Sequence, residues 1–246
     1  MTLTLDLHVH TINSGHAFST ITENAAHAAA IGLTAIGLAD HGPQMPGGAH
    51  LYHFINLGVV PDMINGVRIL KGAEANILID ENPDAENNLD LSNNILEKLD
   101  FVIAALHRGV SPPQTKKKHT AAMIKAMENP NVHILGHPGD CWFDIDMEAV
   151  VEAAARTGTI VEMNNQSLNP NSTRFNGVEP FEKMLMLCKQ LHVPILISSD
   201  AHYCTLVGSW EKALELVEKA GIPEVQVMNT SLDRLMNIIE AKRVCK

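Results

Sequence analysis

The 246-residue sequence predicts an α/β fold, a closed or nearly closed barrel of parallel strands, and three observations carry that expectation. Short apolar, β-branched runs alternate with helical patterns seven times along the chain, the mark of successive β-α units. The glycine-rich phosphate loop that follows the first strand of an open doubly wound sheet is absent; that strand runs into D-L-H-V-H-T-I-N-S-G-H instead. No Ser/Gly linker, repeat or low-complexity tract divides the chain, so residues 1–246 read as one domain.

Strands are expected over residues 3–9, 34–39, 67–73, 101–106, 132–136, 159–163 and 194–198, with a hairpin-like extension over 75–79. Helices fill the gaps. Thr20-x-x-Glu23 is a capping box ahead of the alanine-rich run 24–30, and Gly32 stands where a left-handed residue closes a helix. Asp144 or Asp146 caps a helix through Ala153 that Gly158 closes; a helix over 208–220 ends at Gly221, with Pro223 beyond. The tail adds 225–227 and a last helix near 232–242. The segment 42–66, rich in Gly, Pro and Met, is long for a connection in a compact domain and is expected to cover one rim.

Composition removes several functions. With 18 Lys+Arg against 28 Asp+Glu, a formal charge of −10, there is no basic face for nucleic acid, and ten aromatics do not build a run of base-stacking platforms. The longest apolar candidate, 184–198, is broken by Lys189, Gln190, His192 and Pro194, so no membrane span is expected. Asp6 and two histidines stand where an export signal would be apolar. Cys141, Cys188, Cys204 and Cys245 are scattered without a C-x-x-C pair, which suits packed, reduced thiols and a cytoplasmic protein.

Thirteen histidines stand out, and their positions decide the chemistry. Side chains at i and i+2 of a strand share a face, so His8 and His10 converge at the end of the first strand, and Asp200 and His202 at the end of the last. Between them lie His41 in A-D-H-G, Glu74, His107, and His137 in G-H-P-G, each just after a strand; His16 is in reach, six residues past His10. Parallel barrels carry their active sites at the carboxyl ends of the strands. One H-x-H is a weak signal, but His, Glu or Asp closing six of seven strands at that rim points to a metal cluster.

The H-V-H, the A-D-H-G, the acid after the third strand and the terminal S-D-A-H resemble the four signature segments of the PHP (polymerase and histidinol phosphatase) superfamily. The likeness is greatest to its YcdX-type branch of stand-alone phosphoesterases, and it includes N-V-H-I-L-G-H-P-G and E-M-N-N. The resemblance implies a distorted (β/α)7 TIM-like barrel with three metal ions. It assigns His8, His10, Glu74 and Asp200 to the first ion, bridging Glu74 with His107 and His137 to the second, and His16, His41 and His202 to the third.

Seven imidazoles and two carboxylates suit zinc, with manganese or iron as alternatives. Three divalent ions against two carboxylates leave a positive pocket, fit for a small phosphate monoester. The expected reaction is hydrolysis by a metal-activated hydroxide, with Glu74 bridging the ions, Asp200 near the water's proton and Arg108 gripping phosphate. Lys116, Lys117 and Lys118 read as a solvated helix start, and Asn164, Asn165 and Ser167 as substrate contacts or turn caps. His27, His119, His133 and His192 read as structural or solvent-exposed, and His50 and His53 lie in the long connection. A nuclease or nucleotide phosphodiesterase of the same superfamily is the alternative enzyme, and a metal-binding module without turnover the alternative class; homo-oligomerisation is left open. An amidohydrolase-type C–N hydrolase shares the H-x-H but calls for an eighth strand and no D-x-H after the last one.

Overall fold

A computed structural model describes residues 1–79 and 87–244. In chain order the elements are β1 (Leu5–Val9), α1 (Ile21–Ala30), β2 (Ala35–Leu38), α2 (Leu51–Asn56), β3 (Met63–Ile64), β4 (Val67–Asn76), α3 (Asn93–Leu96), β5 (Phe101–Ala105), α4 (Lys116–Met127), β6 (Ile134–Leu135), α5 (Met147–Thr157), β7 (Ile160–Asn164), α6 (Glu179–Gln190), β8 (Ile195–Ser198), α7 (Glu211–Lys219) and α8 (Leu232–Val244). Seven strands pair in parallel in the order β1-β2-β4-β5-β6-β7-β8, nearly closing a barrel, while β3 lies antiparallel on β4. No helix among the described residues is long and apolar enough to cross a membrane.

The local signals act as their chemistry requires. Thr20 and Glu23 form a reciprocal capping box on α1, and Asp146 rather than Asp144 caps α5 by accepting from the Ala149 N–H at 3.3 Å. Gly158 closes α5 at φ +66°. The helix expected from residue 208 starts at Glu211 instead, because Gly208 turns left-handed at φ +78° and donates its N–H to Asp6 Oδ2 at 2.9 Å. Residues 75–79 continue β4 through Asn76, and Ile77 then pairs antiparallel with Leu89. At 225–227 a single 3-10 turn replaces extended chain, and Val227 bridges to Ile195. The connection 42–66 holds α2 and β3, and Gly47 packs against Gly15 in the loop after β1. Cys188 is the buried thiol; Cys141 is exposed and Cys204 half-buried, against the expectation of packing, and Cys245 lies outside the described residues.

Two layers of apolar side chains fix which residues face the barrel axis. Leu5, Leu7, Ala35, Leu70, Phe101, Ile103, Ile134, Ile160 and Leu196 fill the interior, and a second cluster packs the strands against the helices. Gly37 and Gly72 flank Phe101; a Cβ at Gly37 would lie 2.6 Å from its ring, so the glycines make room for one large side chain.

β1 breaks the simple alternation. Its pairing with β2 runs Asp6↔Ile36 and then Val9↔Leu38, so one extra residue is looped into β1 as a bulge. On an unbroken strand, inward Leu5 and Leu7 would put His8 and His10 outside. The bulge switches the parity: Val9 joins the outer cluster and both histidines turn inward at the rim.

The barrel closes between β1 and β8 without a continuous ladder. Near the top His10 N–H donates to the Ala201 carbonyl at 2.9 Å and Ala201 N–H to that of His8 at 3.1 Å. Lower down, the Asn229 side chain donates to the carbonyls of Leu5 (2.9 Å) and Ile197 (2.6 Å) and accepts from the Ile197 N–H at 2.8 Å. One amide spans the gap as a strand would.

Candidate metal centre

The residues after the strands meet around Glu74, near the end of β4. Its Oε1 lies 3.0 Å from His137 Nε2, 3.1 Å from His107 Nε2 and 3.4 Å from His8 Nε2. Its Oε2 lies 2.7 Å from His41 Nδ1 and 3.6 Å from His10 Nε2. Asp200 Oδ1 stands 3.2 Å from His10 Nε2 and 3.7 Å from His8 Nε2. At the more open end His16 Nε2 and His202 Nε2 are 3.0 Å apart. Three tight donor groups result: His8, His10 and Asp200; His41, Glu74 and His107; and His10, His41 and His202. His137 joins the second through Glu74, and His16 the third through His202.

These residues fit divalent cations. His8 Nε2, His10 Nε2, His41 Nδ1, Glu74 Oε2 and Asp200 Oδ1 are buried without a hydrogen bond among the described residues. Each such atom costs about 1–3 kcal/mol if nothing satisfies it. Mixed imidazole and carboxylate donors focused on common points are what a borderline metal ion takes.

The outer nitrogens of the rings are anchored, which sets the inner ones. Ser14 Oγ donates to Asp40 Oδ1 at 2.7 Å and accepts from His10 Nδ1 at 2.9 Å. His107 Nδ1 donates to Asn76 Oδ1 at 2.7 Å, and His202 Nδ1 to the Asp200 carbonyl at 2.9 Å. His8 Nδ1 lies 2.6 Å from Glu162 Oε1, and His137 Nδ1 3.1 Å from Asp140 Oδ2. Protons held outward leave lone pairs aimed inward, the usual arrangement behind metal-binding histidines.

The PHP domain family matches residues 6–173, more than half of the chain, a span that holds seven of the nine donors. The chain belongs to the PHP family. A probable phosphatase of Caldanaerobacter subterraneus subsp. tengcongensis is 45% identical over 242 residues, 98% of this chain and 92% of that protein. One from Thermoanaerobacter sp. is 46% identical over 244 residues, 99% and 97% of the two chains. The fold is similar to that of histidinol phosphate phosphatase from Lactococcus lactis, solved with zinc, L-histidinol and phosphate, at a TM-score of 0.62 and 18% identity over 89% of this chain and 94% of that one.

Electrostatics in this PHP chain follow the same geometry. Burial pushes the Glu74 carboxyl up, but His107, His8 and His41 outweigh it and hold it well below the usual range. Asp200 is likewise held well below, against burial, by His8 and Arg174. Burial, with His202 and His41 beside it, drives His10 well down, and burial takes His107 to about 4 against the pull of Glu74, so both rings stay neutral. His8 and His137 go the other way. Against burial, Glu162, Glu74 and Asp200 raise His8 well above its ordinary value, and Asp140 raises His137 to about 10.

Arg108 is exposed in the turn after β5, outside the buried cluster. The arginine inside it is Arg174, whose Nη2 donates to Asp200 Oδ2 at 2.8 Å. Glu162, Asp40, Asp140 and Asn76 also escaped the sequence reading as anchors, although Asp40 and Glu162 sit within the quoted A-D-H-G and E-M-N-N. A charged residue in the middle of an apolar strand, as at Glu162, was the available signal. Asn164 and Ser167 bond Arg174, whereas Asn165 caps α7 through the Ala213 N–H at 3.1 Å. His53 Nε2 lies 3.1 Å from Asp40 Oδ2, and His50 caps α2. Lys116 to Lys118 begin α4, His119 is buried and bonds the Gln114 N–H and the Asp144 carbonyl, and His133 is buried at the other end of the barrel.

Proposed function

We propose that this chain is a metal-dependent phosphatase that hydrolyses a small phosphate monoester at a centre of three divalent ions, zinc foremost. The single observation that carries this reading is the convergence of unpartnered, buried donors into three overlapping groups around Glu74. Close relatives named probable phosphatases, matched over nearly their whole length, support the reaction class. Zinc and phosphate in the Lactococcus lactis neighbour accord with the ions and the ligand.

His8, His10, Glu74 and Asp200 would hold one ion, Glu74, His107 and His137 a second, and His16, His41 and His202 the third. Bound ions supply Lewis acidity toward the phosphoryl oxygens and an acidified water as nucleophile. The chain's own residues do the rest. Glu74 fixes the spacing of the groups, since its two oxygens face five donors from four strand ends and their loops. Asp200 turns Oδ1 inward beside the place of the attacking water and would accept a hydrogen bond from it, although an oxygen that holds an ion makes a poor free base. His16 and His202 are the least buried of the nine, so the ester enters at their end with its alcohol portion toward solvent. Arg108, exposed on the same rim, is the assigned outer contact for the substrate. Free thiols at Cys141, Cys188 and Cys204 support a cytoplasmic working place.

The test is an assay of purified protein on p-nitrophenyl phosphate, bis-p-nitrophenyl phosphate and a short oligonucleotide, with and without chelator. Chelator-sensitive monoester hydrolysis is expected. Preference for the diester or oligonucleotide would turn the reading to a phosphodiesterase, and bound metal without any turnover would turn it to a metal-binding module.

A further inference from the structure

Arg174 reaches the cluster from the irregular connection between β7 and α6, not from a strand end. Its side chain is 14% exposed. Nη2 donates to Asp200 Oδ2 (2.8 Å), Asn164 Oδ1 (3.0 Å) and Ser167 Oγ (3.0 Å), and Nε lies 3.3 Å from Asp140 Oδ2. Nη2 carries the guanidinium's hydrogen bonds, while Nε is held beside Asp140 as a buried ion pair without a hydrogen bond; a guanidinium drawn out of water this far needs such partners. Both carboxylates it grips belong to the centre: Asp200 is itself a donor, and Asp140 stands behind His137 Nδ1.

The backbone makes a second, independent point. Asp200 at φ +54° and His137 at φ +28° are two of the four described non-glycine residues at positive φ. Such conformations cost of order 1–3 kcal/mol and persist where the surroundings over-determine them. Arg174 bonds the first directly and braces the second through Asp140, spanning from the β6 end to the β8 end across β7.

We propose that Arg174 is a positioning residue for the metal centre. It fixes Asp200 with Oδ2 turned away, where Asn164 Nδ2 also donates at 3.2 Å, so that Oδ1 alone faces His8 and His10. It also keeps the Asp140 carboxylate in place behind His137. The inference rests on reading the cluster as a metal centre.

The test titrates Zn²⁺ into the metal-free native chain and the Arg174→Gln and Arg174→Lys variants against a chromophoric chelator, with thermal melting of each metal-free protein alongside. Expected is a Kd for at least one ion weakened about 10–100-fold in Arg174→Gln, in line with the loss of other outer partners of metal ligands, with Arg174→Lys between that and native. The metal-free melting temperatures, expected to fall on loss of a buried ion pair, report that loss separately from metal affinity. Native-like Kd values in both variants would overturn the proposal, and so would unchanged Kd values with only KM for p-nitrophenyl phosphate raised, since Arg174 would then be a substrate contact. If Arg174→Gln fails to fold, Arg174→Lys carries the measurement, and a native Kd there overturns the proposal. A native chain that takes up no Zn²⁺ would sink the metal reading itself, a result distinct from unaffected variants.

Discussion

At the N-terminal end of the barrel His133, Lys242 and Arg243 are packed together, much as histidines and charged groups are at the opposite rim. There the bonds stay within the chain. His133 Nδ1 accepts from the Val102 N–H at 3.0 Å, Lys242 Nζ donates to the Met127 carbonyl at 3.1 Å and to the Thr159 hydroxyl, and Arg243 Nη2 donates to the carbonyls of Asp100 and Leu99. None of these nitrogens is among the described buried atoms left without a bond. At the C-terminal rim the rings are anchored on one side and left open on the other. The contrast separates two uses of buried polarity: one end is satisfied by the fold, and the other waits for a ligand.

The strongest way to break this contrast is Glu74→Ala, which removes the carboxylate common to the open donors. Turnover is expected to fall to the chelator-treated baseline; near-native kcat on p-nitrophenyl phosphate would deny Glu74 its central place. Glu162→Gln alters the outer anchor of His8, a carboxylate that also accepts from Ser198 Oγ and the His137 N–H, and is expected to lower metal affinity or kcat/KM by about 10–100-fold. Metal titration and steady-state kinetics check it, and an effect within twofold would mean that the anchoring contributes little.

The closed end is probed through pH. Burial pushes Lys242 down to about 7 from an ordinary 10.5. Below about pH 7 the folded and unfolded chains both hold its proton and the penalty of burying the charge is fully present; between about 7 and 10.5 only the unfolded chain holds it. This lysine therefore makes stability rise with pH across that window, by on the order of a few kcal/mol. Lys242→Met is expected to flatten the rise in denaturant titrations while leaving turnover intact; an identical pH slope in the variant would contradict the buried, deprotonated lysine. The smallest effect belongs to Arg108→Ala, on the exposed side of the open rim, where a KM raised a few-fold with kcat unchanged is expected. A fall in kcat instead would move Arg108 into the chemistry.

Much of this is legible in the amino-acid sequence. Strand ends at His41, Glu74, His107 and Asp200 follow from plain alternation, because β2, β4, β5 and β8 keep one parity from the apolar interior up to the rim. β1 does not, and nothing in L-D-L-H-V-H announces the extra residue opposite Gly37, so the right convergence of His8 and His10 was reached by a rule that the strand breaks and repairs. Arg174 was out of reach for another reason. It acts through the length of its side chain from a segment with no periodicity, so only tertiary structure brings it to Asp200. Arg108 drew attention by adjacency to His107, yet neighbours in sequence point apart along an extended chain.

The seam between β1 and β8 has a consequence for how the molecule holds itself shut. His8 and His10 belong to the first staves of the cask, and Asp200 and His202 to the last, while the wall between them is joined by two backbone bonds, the Asn229 amide and the Asp6 carboxylate, which accepts from the Ser199 N–H and hydroxyl. Cations held by these side chains would act as a rivet across the joint, tying the beginning of the polypeptide to its final quarter. Loading the centre and latching the hoop would then be one event, and amide exchange at His10 and Ala201 is expected to slow when divalent ions are added.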